Sequence, residues 1–375
     1  MILPLRFINF IVLTLFFNLF AFSVSGYSDP KLKVLLFKTS KGVIVESSKP
    51  LKVHNIALRQ KEQHRFLVNR LSASKVILNN REVRKGSLWI QSTGQPIRIR
   101  QRYYKGVIEI KPYAKGLYVI NHIKTETYLA GVLSAEINTN WHREAVKAQA
   151  VIARTFALFR RKKRSNHSWH LYSDHRDQVY RGIDYADRNS KSILNETFSL
   201  VVTQKGRIVP TFYHSNSGGI TEDPGNLWQY GLPHLEIKSS PYGKSDPNYY
   251  WSTTLTPGEM MKILLKGGIQ IPYLEDIFIG KRTGSNRAAN IIIISDEIKS
   301  ISAANFRKKA GYLRIQSLLF DVKKVNDRFV FTGTGRGHGV GLSQWGAKDM
   351  AEEGMSFVEI LKFYFKNISI EPYRG

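Results

Sequence analysis

One glutamate stands at the end of an apolar stretch, where a carboxyl group could act as a general acid. Glu136 lies in the run Ser134-Ala135-Glu136-Ile137, and Trp141 follows five residues later. An apolar, aromatic setting raises the pKa of a carboxyl group, because desolvation disfavours its charged form. A carboxyl group that keeps its proton near neutral pH can donate it to a leaving group. The alternative is a capping or solvated glutamate at a helix end.

The helix expected next carries two polar residues that could serve the same site. Gln149 interrupts an apolar face between two alanines, so its amide is either a satisfied core group or a ligand contact. Arg154 lies between an alanine and a threonine, which favours a semi-buried guanidinium. Lys147 precedes Arg154 by seven residues, nearly two helical turns, and points the same way. Lys147 could also simply pair with Glu144 at the surface.

Two glycine-rich segments offer polar groups on unusual backbone. Residues 213–219 read Tyr-His-Ser-Asn-Ser-Gly-Gly, and residues 335–346 contain five glycines around His338, Ser343 and Gln344. Glycines at this density permit close approach to a ligand, although crowded strand packing would also require them. Neither segment matches a phosphate-binding loop or a nucleophilic-serine elbow. A lone histidine such as His338 is more often structural than catalytic.

The metal-binding potential of the chain is small. His167, His170, Asp174 and His175 cluster within nine residues, but their spacing matches no established zinc motif. The absence of cysteine excludes disulfides, a thiol nucleophile, iron–sulfur clusters and Cys-ligated zinc. We therefore expect no metal and no other cofactor.

The charge and the first residues indicate the compartment. The 375 residues carry 56 Lys+Arg against 29 Asp+Glu, a formal net charge of +27, which favours polyanionic surroundings. Residues 1–25 contain one charge, Arg6, followed by an apolar stretch and small residues, as in an export signal. The alternative is an uncleaved membrane anchor. Export to the periplasm or cell envelope argues against a nucleic-acid partner, and the basic run 160–164 then reads as a solvated helix end.

The elements that must position these residues change in type along the chain. Short alternating runs from residue 31 to about 122 predict meandering strands. Helical spacing then predicts a helix capped by Thr125 and ending at Glu136, and a second one over about 142–163. Further helices are predicted over 257–266 and 349–365, with a break at Gly354, and buried strands over 290–294 and 328–331. The fold class is α+β. Its predicted parts are an export signal (1–25), a β-rich N-terminal region (26–115) and a mixed catalytic region (116–375).

Taken together, the motifs resemble the SpoIID family of sporulation and cell-wall proteins, which includes amidase-enhancer proteins. The likeness extends from about Gly106 to the C-terminus, with order and spacing both fitting, and is carried by residues 128–136, 144–155, 177–182, 217–219 and 337–347. It implies a SpoIID-like core and a peptidoglycan lytic transglycosylase, which cleaves the MurNAc–GlcNAc bond and leaves a 1,6-anhydro sugar. Similar sporulation members prefer glycan stripped of its stem peptides.

The resemblance also implies site residues. The family's catalytic glutamate falls on Glu136, and its functional arginine falls on Arg154, which would orient Glu136 or bind substrate. Some members bind zinc through His and Cys, but this chain has Asp177 before Gln178 where those members carry a ligand. The other residues predicted to contact the sugar are Gln149, Tyr180, Tyr213, Ser215, Ser217, His338 and Gln344.

A non-catalytic function is the alternative. The amidase-enhancer members suggest a wall-binding module that activates or localises an amidase, with the positive charge serving adhesion. The expected partners are thus peptidoglycan glycan strands and a cell-wall amidase, without nucleic acid and without a membrane span after signal removal.

Overall fold

In the computed structural model, residues 28–54, 63–83, 86–228 and 230–375 are described. The predicted export signal lies outside the described residues. Within these ranges, no helix combines the length and apolar character that crossing a membrane requires.

The N-terminal part consists of short strands whose side chains alternate between core and solvent. Val43 and Val45 are buried, for example, whereas Ile44 between them is exposed. The strands are β1 (Lys31–Thr39), β2 (Val43–Glu46), β3 (Leu51–Val53), β4 (Arg65–Arg70), β5 (Val76–Leu78), β6 (Arg81–Val83), β7 (Leu88–Ser92), β8 (Ile97–Ile99), β9 (Arg102–Tyr104), β10 (Val107–Tyr113) and β11 (Gly116–Lys124).

The central part carries the two helices that the motifs predict. The elements are α1 (Thr125–Glu136), α2 (Arg143–Lys163), β12 (Leu171–Tyr172), α3 (Arg188–Glu196), β13 (Leu200–Gln204), β14 (Arg207–Ile208), β15 (Tyr213–His214) and α4 (Pro224–Trp228). Thr125 does not cap α1, because its hydroxyl donates to the Pro30 carbonyl at 2.6 Å. The Asp29 carboxylate instead accepts from the Glu126 amide at 3.1 Å.

The C-terminal part contains an inserted lobe and a closing segment. The lobe consists of β16 (Tyr250–Leu255), α5 (Pro257–Lys266), β17 (Asp276–Ile279), β18 (Asn290–Ile294), β19 (Ile298–Ser302), α6 (Ala303–Ala310), β20 (Phe320–Val325) and β21 (Arg328–Thr334). The closing segment consists of β22 (Leu342–Ser343), α7 (Gln344–Glu352), α8 (Phe357–Tyr364) and β23 (Ser369–Pro372). The predicted class, α+β with a β-rich N-terminal region, is confirmed.

Two six-stranded sheets organise the N-terminal half, in the orders β12-β1-β11-β10-β7-β3 and β6-β5-β4-β2-β8-β9. One core runs from these strands into the helices, since Val34 and Phe66 share it with Leu129 and Ala150. The predicted boundary at residue 115 falls between β10 and β11, which pair antiparallel with each other. The β-rich region therefore packs directly against the helices that carry Glu136 and Arg154.

The α2 helix is central because it is buried on more than one face. Ala153 and Phe156 belong to the core shared with the strands, whereas Ala148 and Ile152 belong to a second core with α7 and α8. The lobe has a third core of its own, containing Phe306 and Phe331 among others. In sequence, the lobe separates β15 from β22, yet these two strands pair.

Candidate active site

The α1 helix delivers Glu136 to the site, and a glycine sets how closely α1 lies against the loop that holds it. A Cβ atom at Gly131 would lie 2.2 Å from the Gly182 carbonyl oxygen, so only glycine allows this approach. The loop brings the Val179 amide to the Glu136 carboxylate, where it donates to Oε1 at 2.6 Å. The helix end and the loop together fix the carboxyl group.

The surroundings of Glu136 favour its protonated form. Burial raises the pKa of Glu136, and the hydrogen bonds from Val179 and Tyr213 and the charge of Arg181 offset this in part. Burial also raises the pKa of Tyr213 well above its usual value, so its hydroxyl stays a donor. Glu136 is thus a partly buried carboxyl group with a raised pKa and two donors, the Val179 amide and the Tyr213 hydroxyl.

A buried hydrogen-bond network links Tyr213 to the Gln178 amide and the Tyr128 phenol. The Gln178 amide donates to the Tyr213 hydroxyl at 3.3 Å and to the Ala153 carbonyl at 3.2 Å. Its oxygen accepts from the Tyr128 hydroxyl at 3.2 Å. Sequence reasoning missed Gln178 as a site residue. The available signal was its position in the motif 177–182, from which Tyr180 but not Gln178 is predicted to contact the sugar.

The two glycine-rich segments meet at Glu136. β15 and β22 pair in parallel, with Tyr213 opposite Leu342. Gly341 makes this possible, because its φ is +73° and a Cβ atom there would lie 2.2 Å from the Phe212 carbonyl oxygen. Tyr213 and the residues after β22 therefore reach the carboxyl group together.

Two predicted amides lie on the backbone side of Glu136. The Gln344 amide donates to the Glu136 carbonyl at 3.1 Å and to the Gln149 oxygen at 3.4 Å. Gln149 is fully buried, and within the described residues its own Nε2 has no hydrogen-bond partner. The structure thus brings Glu136, Tyr213, Gln149 and Gln344 together.

His338 and the two predicted serines contact the glycine-rich segments rather than Glu136. His338 Nδ1 accepts from the Val340 amide at 3.0 Å, and burial with the charges of nearby arginines lowers the pKa of His338 to about 4. Ser215 accepts from the Arg336 guanidinium at 3.2 Å. The Ser217 amide donates to Ser343 Oγ at 3.2 Å. His338 is neutral near pH 7, and the sugar contacts of these three residues stay predictions.

Four of the predicted substrate contacts are almost fully buried, namely Gln149, Arg154, Tyr180 and Ser217. Tyr180 has no exposed surface, and its hydroxyl donates to Asn121 Oδ1 at 3.1 Å. Arg154 is 1% exposed and makes a two-pronged ion pair with Glu126, at 2.6 and 2.8 Å. Glu126 precedes Glu136 by ten residues, about 15 Å along α1. The ion pair therefore holds the Arg154 guanidinium at the start of α1, and its predicted sugar contact stays a prediction.

A pair of half-buried tryptophans flanks the same region. The rings of Trp141 and Trp345 lie 4.6 Å apart between centroids. Trp141 belongs to the connection after Glu136, and Trp345 follows Gln344 directly. The ring of Trp228 packs on that of Phe212, with 4.5 Å between the ring centroids. The tryptophan pair thus joins the segment that follows Glu136 to the segment that follows Gln344.

The residues do not fit the zinc site found in some similar proteins. The Asp177 side chain has no exposed surface, and Arg164 and Arg160 contact its two oxygens at 2.6 and 3.1 Å. Oδ2 accepts hydrogen bonds from Arg164 and from the Tyr172 amide, whereas Oδ1 lies 3.1 Å from Arg160 Nε without a hydrogen bond between them. Asp174 pairs with Arg176. Across the described ranges, no group of three or more His, Asp or Glu side chains could hold a metal ion.

Fold and site together define a class: an α+β protein in which a partly buried glutamate, Glu136, is framed by amides and a phenol. The profile of the SpoIID family, described as Stage II sporulation protein, matches residues 113–208. The chain is 31% identical to an uncharacterized protein of Brachyspira hyodysenteriae over 271 residues, 72% of this chain and 73% of that protein. The chain belongs to the SpoIID family.

Two Bacillus subtilis proteins are also similar. Stage II sporulation protein D is 29% identical over 280 residues, 70% of this chain and 79% of that protein. Amidase enhancer is 25% identical over 299 residues, 65% of this chain and 40% of that protein. The family predicted from the motifs is therefore confirmed.

Proposed function

We propose that this protein is a peptidoglycan lytic transglycosylase in which Glu136 is the single acid/base. The observation that carries the proposal is the environment of the Glu136 carboxyl group. Burial raises its pKa, and hydrogen bonds from Val179 and Tyr213 hold the group in place. Family membership and the similarity to cell-wall and sporulation proteins support the coarser conclusion of a cell-wall-related function. The sequence of residues 1–25 supports export.

One carboxyl group suffices for this reaction. Protonated Glu136 donates its proton to the glycosidic oxygen as the bond from C1 of MurNAc to that oxygen breaks. The carboxylate left behind then accepts the proton of the C6 hydroxyl, whose oxygen attacks C1 and closes the 1,6-anhydro ring. Because the nucleophile belongs to the substrate, proximity replaces the second carboxylate of an ordinary glycosidase. The acid is regenerated at the end.

The reaction products test this proposal directly. The mature chain is incubated with intact peptidoglycan and with peptide-stripped glycan strands, and mass spectrometry identifies the new ends. We expect 1,6-anhydro-MurNAc ends, mainly from stripped glycan. Ordinary reducing ends would instead require a second carboxylate and would contradict the proposal.

A Tyr213→Phe variant should shift the pH dependence of cleavage. The Tyr213 hydroxyl stabilises the ionised form of Glu136 and so lowers its pKa. Without this donor the pKa of Glu136 rises further, and the alkaline limb of the pH–rate profile moves to higher pH. An unchanged limb in a folded variant would mean that Tyr213 does not act on the titrating group.

The tryptophan pair is expected to bind the glycan. Stacking on a ring is worth about 0.5–1.5 kcal/mol, so Trp345→Ala should raise KM for glycan about 2- to 12-fold with little change in kcat. Trp169→Ala is the matched control, since Trp169 is also half-buried but packs on Tyr118 and Tyr172. Equal KM values for the two variants would contradict a platform at Trp345.

The similarity to Amidase enhancer favours a second candidate function, the activation of a cell-wall amidase. In that case the chain binds glycan and stimulates the amidase without cleaving strands itself. Glycan retention with no new ends, together with amidase stimulation that survives Glu136→Gln, would select this function over the first.

A further inference from the structure

A cavity away from Glu136 has six cationic side chains in its lining. It encloses about 920 Å³ between the end of α2 and strands β1, β13, β14 and β23. Glu371 is the one acidic side chain in its lining. We call it the basic pocket, and its cationic residues are Lys31, Lys33, Arg161, Lys162, Arg207 and Arg374.

These six cations lack carboxylate partners. Over the part of the chain that the structure describes, none of them forms an ion pair. Arg160 and Arg164, on the same helix end, both contact Asp177. The basic run 160–164 is therefore only partly a solvated helix end, since Arg161 and Lys162 turn to the pocket instead. Clustered like charges destabilise a compact chain, so an anionic ligand would relieve their repulsion.

The lining also contains two uncharged polar side chains that are almost fully buried. Thr203 is 3% exposed, and its buried hydroxyl has no hydrogen-bond partner among the described residues. His170 is 5% exposed, and burial together with the charges of Lys33 and Arg161 lowers its pKa to about 4. A buried hydroxyl without a partner in the described ranges and a neutral imidazole, whose Nδ1 accepts from the Lys33 amide at 3.1 Å, thus lie beside the cations.

We propose that the basic pocket binds phosphate groups of a polyanionic polymer. Guanidinium forks match phosphate oxygens and lysine ammonium groups add point charges, and the volume admits several consecutive units. The site is separate from the acid, because Arg161 follows Gln149 by twelve residues, about 18 Å along α2. The proposal does not depend on the chemistry of Glu136.

A pair of triple variants tests the proposal. Fluorescently labelled long-chain polyphosphate is titrated with the mature chain, with Lys162→Ala/Arg207→Ala/Arg374→Ala, and with the control Lys308→Ala/Lys309→Ala/Lys323→Ala. All six positions are exposed and each variant loses the same charge. We expect polyphosphate binding to weaken about tenfold or more in the pocket variant and less than twofold in the control. In a plot of log binding constant against log salt concentration, the slope should fall by about 2 in the pocket variant only.

Three results would overturn the proposal. Equal weakening in both triple variants would mean that the whole surface attracts polyanions. Equal affinity for polyglutamate of matched charge would show no preference for phosphate. Tighter binding to phosphatidylglycerol vesicles than to polyphosphate would assign the pocket to a lipid surface.

His170 provides a readout that reports on the pocket itself. A bound polyanion offsets the field of Lys33 and Arg161, so the pKa of His170 should rise from about 4 when polyphosphate is present. The imidazole resonances are followed by NMR across pH, with and without polyphosphate. An unchanged titration at saturating polyphosphate would place the ligand elsewhere.

Discussion

Glu136→Gln is expected to abolish glycan cleavage while leaving the fold intact. General acid catalysis contributes about 10²- to 10⁴-fold, and the same carboxyl group serves both proton transfers, so kcat/KM should fall by at least this range. An amide of the same shape can still accept from the Val179 amide, which donates to Glu136 at 2.6 Å. The loss is measured as the rate at which 1,6-anhydro ends appear.

The stability of this variant separates lost chemistry from lost structure. Burial raises the pKa of Glu136 in the folded chain, so at neutral pH the ionised carboxylate favours the unfolded state. Removing the charge should leave the free energy of unfolding at pH 7 unchanged or larger. Glu353→Gln makes the same substitution at an exposed position and should retain full activity. Full cleavage by folded Glu136→Gln would disprove the assignment.

The pH dependence of the wild-type enzyme follows from the same shift. The protonated form of Glu136 starts the reaction, so cleavage declines as the pH rises through its pKa. Because burial raises this pKa, the decline should begin at higher pH than for an exposed glutamate. The Tyr213→Phe and Glu136→Gln variants together thus test both the identity of the acid and its tuning.

Sequence patterns predicted the helices whose ends are marked by capping residues or whose apolar residues recur at helical spacing. The helix predicted over 257–266 matches α5, because Thr256 and Glu259 form a capping box and Gly267 follows the helix end. The helix predicted over about 142–163 matches α2, whose apolar stripe is strong. By contrast, α3 was missed, since its sequence is mostly polar and only Ser190, Ile193 and Leu194 are buried.

Sequence predicted those features of the site for which the type of a residue and its neighbours indicates burial or close packing. The apolar neighbours of Glu136 indicated burial, and the glycine-rich segments indicated close approach, which the pairing of β15 with β22 explains. The partners of Arg154 and Tyr180 could not be predicted, because Glu126 and Asn121 are 28 and 59 residues away in sequence. Long-range pairing, unlike helical spacing, leaves no periodic trace in the chain.

Arg154→Ala is expected to lower the stability of the whole chain. Removing one partner of a buried ion pair costs about 3–5 kcal/mol, because the other charge is left uncompensated. Arg154 also donates to the Leu200 carbonyl at 3.1 Å, which would lose this donor. Since domains are typically stable by only about 5–15 kcal/mol, urea unfolding should show a much lower midpoint, and activity should fall with the folded fraction.

A double variant distinguishes this positioning function from a direct function in catalysis. In Arg154→Met/Glu126→Leu both charges are gone, so much of the lost stability should return. If Arg154 only anchors the start of α1, the folded double variant cleaves glycan with nearly normal kcat and KM. If instead it cleaves as poorly as Glu136→Gln, the guanidinium takes part in the reaction itself, and the burial of Arg154 would have to be relieved when glycan binds.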